Sequence, residues 1–150
     1  MMVGMADSSY QLGLYLHLSR ASELRRRPMV RDRLLVLAGV IAAQMGLMPI
    51  AAYCRHKVLE HNPQHLVRRW PTLGTAGKDD DFQHYLKQLW RRYPSEKVEQ
   101  MLESLGIQMA REREAYFSDD EYAAAIMGTT PEALDKMFGG GDSEQNGDPE

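Results

Sequence analysis

A single cysteine, Cys54, in 150 residues excludes an internal disulfide and any thiolate-rich zinc module, and it fits a reducing, cytoplasmic setting. β-Branched residues are scarce: Val, Ile and Thr together number 15, against 41 for Leu, Ala and Met. Strands draw on the first group and helices on the second, so the composition predicts an all-α chain. Catalytic signatures are missing as well. There is no G-x-G-x-x-G, no phosphate loop, and no Glu-x-x-His pair of the kind that di-metal bundles use. The nearest approach, Asp81-x-x-His84, is better explained by an aspartate placed for helix-start charge. The opening MMVGMADSS has no apolar run behind a basic start, so no secretory signal is expected, and Met5 offers an alternative initiator.

What the chain does have is charge, unevenly spread. Residues 1–93 carry 14 Lys/Arg against 7 Asp/Glu, whereas residues 94–150 carry 4 against 14, so a balance of +7 faces one of −10. The basic part contains Arg25-Arg26-Arg27, Arg68-Arg69-Trp70 and Trp90-Arg91-Arg92-Tyr93. Such a split fits nucleic acid, anionic lipid or an acidic partner at the basic end; equally, the two halves attract each other. The last twelve residues, GGGDSEQNGDPE, have almost no apolar side chain and are expected to form a disordered acidic tail over 139–150. That tail reads either as a weak internal competitor for the basic half or as a solubilising appendage.

Residues 1–138 read as one helical domain, with 1–8 and 71–78 as flexible or loop segments. A first helix is predicted over about Ser9–Arg26, ended by Pro28. Leu34–Cys54 then runs 21 residues without a charge, long enough to span a membrane. Gln44 near its middle and Gly46-Leu47-Met48-Pro49 argue instead for a buried hairpin, with the membrane tether over 34–54 as the alternative. Asp79-Asp80-Asp81 opens a helix whose Phe82, Tyr85, Leu86, Leu89 and Trp90 form an apolar stripe. Pro94-Ser95 starts another, closed by Gly106, and a charged helix is predicted over Gln108–Tyr116. Ser118 and Glu121 form a capping box with Phe117 and Tyr122 placed for a hydrophobic staple, and Thr130-Pro131 opens the last helix, which Gly139 stops.

Leu34–Pro63 resembles one tetratricopeptide-type repeat. Ala38-Gly39, Gly46 and Ala51 stand where that family places its small and turn residues, and Leu59, Asn62 and Pro63 match its exit. Leu35, Ala42 and Val58 depart from it. A looser second unit extends to Pro94, where Phe82, Tyr85, Leu89, Trp90 and Pro94 repeat the spacing at an offset of 31. The resemblance implies stacked antiparallel helical hairpins that serve interaction. Ser118–Phe138 looks like a helix-turn-helix hairpin, but its balance of −4 argues against docking on DNA phosphates.

These readings converge on a small array or bundle of antiparallel helical hairpins acting as a non-catalytic protein-interaction module or adaptor. The alternative is a nucleic-acid-associated regulator using the basic half. Arg68, Arg69 and Trp70, with Arg91 and Arg92, are the candidate partner or nucleic-acid binding residues, because guanidinium groups beside an exposed aromatic ring suit single strands. The competing role for Trp70 and Trp90 is core packing. Cys54, His56, His61 and His65 match no common zinc spacing, so no metal or other cofactor is expected, and Cys54 reads as a buried, inert thiol.

Overall fold

Prolines and glycines set the helix boundaries. Pro28 stands first in α2 (Pro28–Gln44), Pro49 lies in the first turn of α3 (Met48–His61), Pro94 caps α6 (Ser95–Ser104), and Pro131 opens α8 (Pro131–Leu134). At these positions a missing N–H removes no intrahelical bond. The remaining elements are α1 (Gly4–Leu24), α4 (Leu73–Ala76), α5 (Asp80–Arg92) and α7 (Asp119–Ile126), with 3₁₀ turns at Leu66–Arg69 and Glu112–Ala115 and a π turn, Asp135–Gly139, that continues α8. The computed structural model of the chain describes residues 4–109 and 111–139, and their side chains from Ser8 onward. Among the described residues there is no strand, and the chain is all-α. Of the expected acidic tail over 139–150, Gly139 belongs to the turn Asp135–Gly139, and residues 140–150 lie outside the described residues.

α1 and α2 are antiparallel and form the centre. Every residue from Leu34 to Ala42 is buried, as is every residue from Leu12 to Leu16. A helix apolar on all sides must be covered on all sides. α2 is accordingly wrapped by α1, α3, α4 and α5, while α6 and α7 lie on α1. The charge-free run is thus a buried hairpin, turning at Met45-Gly46-Leu47, and no helix among the described residues is long and apolar enough to cross a membrane. α5, by contrast, buries one stripe, Phe82, Leu86 and Leu89, and leaves its other face to solvent.

Gly39 sets how closely α2 meets its neighbours. A Cβ there would fall on Leu73 Cδ1 and stand 3.1 Å from Cys54 Cβ. At the open end of the hairpin a polar clamp joins α2 to α3. Asp32, only 4% exposed, accepts from Arg31 (2.9 Å) and from His61 Nδ1 (2.5 Å), and Arg31 also donates to Lys57 O (3.1 Å). Both carboxylate oxygens are occupied, so the buried charge is compensated.

Four turns share one geometry. After α2, α6 and α7 the chain reverses through Gly46, Gly106 and Gly128 at φ of 82°, 77° and 77°. The following N–H returns to the helix in each: Leu47 to Ala42 O, Ile107 to Leu102 O and Thr129 to Ala124 O, at 2.8, 3.0 and 2.9 Å. After α1 the same bond forms from Arg27 to Ser22 O at 2.8 Å, but the left-handed residue is Arg26, φ 60°. Glycine takes this conformation without steric cost and arginine does not.

The structure corrects several expectations. The charged helix over Gln108–Tyr116 shrinks to the 3₁₀ turn Glu112–Ala115, because Arg113 bonds Tyr116 O and Asp119 instead of continuing a helical ladder. Ser118 caps Glu121 N as expected (3.2 Å), but Glu121 reaches back to Phe117 N–H. The hydrophobic staple is not made: Phe117 is 93% exposed while Tyr122 is buried. α1 begins at Gly4, ahead of Ser9, and the segment 71–78 contains the helical turn α4, capped by Thr72.

Candidate functional site

At the end of the molecule where α1 turns into α2, the C-terminal end of α5 and one face of α6 close around a groove of about 570 Å³. Four cations line it: Arg25 and Arg27 from the α1–α2 turn, Arg92 from the last turn of α5, and Lys97 from the first turns of α6. No carboxylate is among the lining residues. Among the described residues none of the four has a carboxylate within 4.0 Å. The apolar part of the lining is Leu18, Val30, Tyr93, Met101 and Leu105.

Local structure explains why these residues meet. The hydroxyl of Tyr15, in the core of α1, donates to Tyr93 O at 2.6 Å and so pins the end of α5 against α1. Burial holds the Tyr15 hydroxyl pKa up, which keeps it a donor. Tyr15 also meets Trp90 edge-on with ring centroids 5.5 Å apart. Pro94 then restarts the chain as α6, and helical spacing puts Lys97, Met101 and Leu105 on one face. Lys97 Nζ stands 5.9 Å from the centre of the Tyr93 ring. Cations suit the C-terminal ends of α1 and α5: α5 carries Arg91 and Arg92 in its last turn, and Arg25 directly follows α1, which has none in its own; Lys97, in the first turn of α6, stands where the helix dipole disfavours a cation.

The sequence-nominated residues divide. Arg92 lines the groove; Arg91, next to it, is exposed and does not. Arg68 and Arg69 sit in the turn Leu66–Arg69 beside the other end of α5, where Arg69 pairs with Asp81 at 3.1 Å and lies 4.7 Å over Trp70. Thirteen helical residues separate the two ends, about 18 Å along α5. Trp70 is corrected as a stacking platform for bases: it is 8% exposed, packs 5.2 Å from Phe82, and spends its Nε1–H on Asp79 at 3.2 Å. Its ring belongs to the core.

Arg25, Arg27 and Lys97 were not nominated from the sequence. The arginine triplet is visible there, but nothing local says that it faces Arg92, 65 or more residues away. Lys97 falls in the half counted as acidic. Its one signal is position: it sits four residues before Met101 on an apolar helical face.

His17 Nε2 and the Tyr122 hydroxyl both meet Glu112 Oε1, at 2.9 and 3.0 Å, whereas Cys54 and the histidines near it in sequence do not converge. Cys54 is fully buried and its thiol is pushed up to about 12 by burial. His56 pairs with Glu60 at 3.2 Å, and His61 belongs to the Asp32 clamp. His65 Nδ1 accepts from Val67 N–H at 3.1 Å. No three His, Cys, Asp or Glu among the described residues come together as a metal site. No protein-family model matches the chain, and neither the curated proteins nor the solved structures contain a significant match.

Proposed function

We propose that this chain is a non-catalytic helical interaction module whose cationic groove receives an acidic segment of another protein. One observation carries the reading: four cations without a carboxylate partner surround an apolar floor. Guanidinium groups pair bidentately with carboxylates, and an apolar floor rewards a ligand that also brings a hydrophobic side chain. A bare phosphate backbone uses the charge but not the floor. The groove also falls within the ~300–1,000 Å³ usual for ligand sites. The tetratricopeptide-like character of Leu34–Pro63 is part of the same proposal, with the α2–α3 hairpin as scaffold. So is a cytoplasmic setting, which the single buried thiol supports.

The test is a fluorescence-anisotropy titration of the full chain with a labelled peptide alternating Asp and Phe, run beside single-stranded and duplex oligonucleotides. The peptide is expected to bind more tightly than either, and Arg25→Glu with Arg92→Glu to weaken it at least about tenfold. Oligonucleotide binding that exceeds peptide binding, with a steep salt dependence, would assign the groove to nucleic acid and overturn the reading.

A further inference from the structure

The groove has a counterpart on the same chain. Phe117 is 93% exposed, the most exposed of the large apolar side chains described. The backbone around it is fixed. Phe117 N–H donates to Glu121 Oε1 at 2.8 Å, Tyr116 O accepts from Arg113 at 2.9 Å, and Arg113 is held by Asp119 at 2.7 Å. Tyr116 packs against buried Tyr122 with ring centroids 5.5 Å apart. The Phe117 ring therefore projects from a braced loop, and its docking orders little further chain.

Its surroundings are anionic. Residues 111–121 carry five carboxylates against two guanidiniums, and both guanidiniums are paired within the loop, Arg111 with Glu114 and Arg113 with Asp119. Asp120 and Glu121 have no cation within 4.0 Å among the described residues. The Asp120 carboxyl is held above its ordinary pKa by burial and by the charges of Asp135 and Asp119, a cluster short of positive charge.

We propose that the groove's partner is a second copy of this chain, with Phe117 of one copy seated on the Leu18, Tyr93 and Met101 floor of the other and Asp120 and Glu121 facing Arg25, Arg92 and Lys97. The proposal rests on the groove reading above and names its occupant. The contact is between copies because the two parts lie at opposite ends of α1. Ser9 bonds Asp119 at 2.7 Å near the knob, and Ser22 lines the groove. Thirteen residues of helix place these points about 20 Å apart, beyond the reach of a braced side chain. An apolar knob ringed by one charge and a pocket ringed by the other, exchanged reciprocally across a two-fold axis, form a closed isologous pair.

Sedimentation equilibrium of the full chain tests this. The mean mass is expected to rise from the 17.1 kDa of one chain toward twice that as concentration rises to about 0.5 mM. Phe117→Ala and Arg25→Glu/Arg92→Glu are each expected to weaken association at least about tenfold, with Phe117→Trp retaining it. Because Phe117 and the arginines lie at the surface, circular dichroism should show all variants folded. The decisive sample mixes Phe117→Ala, whose groove is intact, with Arg25→Glu/Arg92→Glu, whose knob is intact: each alone stays at one chain and the mixture associates. A single-chain mass for the unmodified protein at about 0.5 mM, or association that survives Phe117→Ala, overturns the proposal. If the Asp/Phe peptide still binds in an Arg92-dependent way, self-pairing falls and the groove reading stands; if the peptide fails too, both fall.

Discussion

Arg26→Gly should stabilise this protein while removing a charge and adding no contact. Arg26 holds φ at 60° in the α1–α2 turn, where the equivalent residues after α2, α6 and α7 are glycines. An L-residue in the left-handed region costs roughly 1–2 kcal/mol from Cβ crowding on the carbonyl oxygen. Glycine removes that term but enlarges the unfolded ensemble, an opposing effect of about 0.5–1 kcal/mol. The net gain expected is about 0.5–1 kcal/mol, or roughly 1–4 °C in Tm for a chain of this size. Arg26→Ala is the control, since it removes the same guanidinium and keeps the strain. Thermal and urea melts followed by circular dichroism should rank Gly above Ala by that margin. The mirror substitutions Gly46→Ala and Gly106→Ala have nothing within 4 Å of the new Cβ, so their loss, about 1 kcal/mol or more, reports φ alone. Arg26 does not line the groove, so peptide affinity should be unchanged. An Arg26→Gly protein no more stable than Arg26→Ala would refute the strain argument.

Asp32→Ala removes the carboxylate that holds Arg31 and His61 at the α2–α3 clamp, leaving Arg31 with Lys57 O and Glu23 at 3.6 Å, and should destabilise by about 2 kcal/mol, read from urea midpoints. Gly39→Leu should overpack the contact with Leu73 and Cys54 at a cost of roughly 1–3 kcal/mol; an unchanged melt would deny the close approach. His65 has its pKa lowered below 6.5 by burial, with the Asp32 charge opposing and His61 adding. The unfolded chain therefore binds the proton more readily, so this site's stabilisation is complete above pH 6.5 and is lost as pH falls through the lowered folded value. His65→Asn keeps an acceptor for Val67 N–H and should flatten that acid limb in urea melts across pH 5–7 (a window of roughly ±1 unit). In a Trp90→Phe background, Trp70 fluorescence should resist iodide quenching in the native protein and become quenched on unfolding, in keeping with a buried ring.

Helix identity and most boundaries were legible in the chain itself, because they depend on neighbours in sequence. Pro28, Pro94 and Pro131 forbid helix before them and permit it after, and the stripe from Phe82 to Trp90 declares which face of α5 is buried. The uncharged run from Leu34 to Cys54 had to be buried somewhere, and the Gly46–Pro49 turn made it a hairpin. Legibility failed where two demands competed for one residue. Phe117 and Tyr122 promised a staple, but Tyr122 is claimed by the core, and Phe117 is left outside with its N–H bound to Glu121. Arg69-Trp70 looked like an exposed stacking pair until Phe82 and Asp79, nine or more residues on, took both faces of the indole's chemistry.

The groove, Arg92 apart, was decided by tertiary packing. Charge counts told only that cations crowd the first 93 residues, and they placed Lys97 on the wrong side of the divide. What gathers Arg25, Arg27, Arg92 and Lys97 is the packing of α6 on α1, with the C-terminal end of α5 pinned there by a hydrogen bond from Tyr15 to Tyr93 O across 78 positions. Local sequence sets dihedral angles, caps and amphipathic faces, since each is decided within a turn or two of chain. Which charged surfaces meet is decided by how the apolar faces interlock. That depends on side chains far apart in sequence and is settled only when the helices pack.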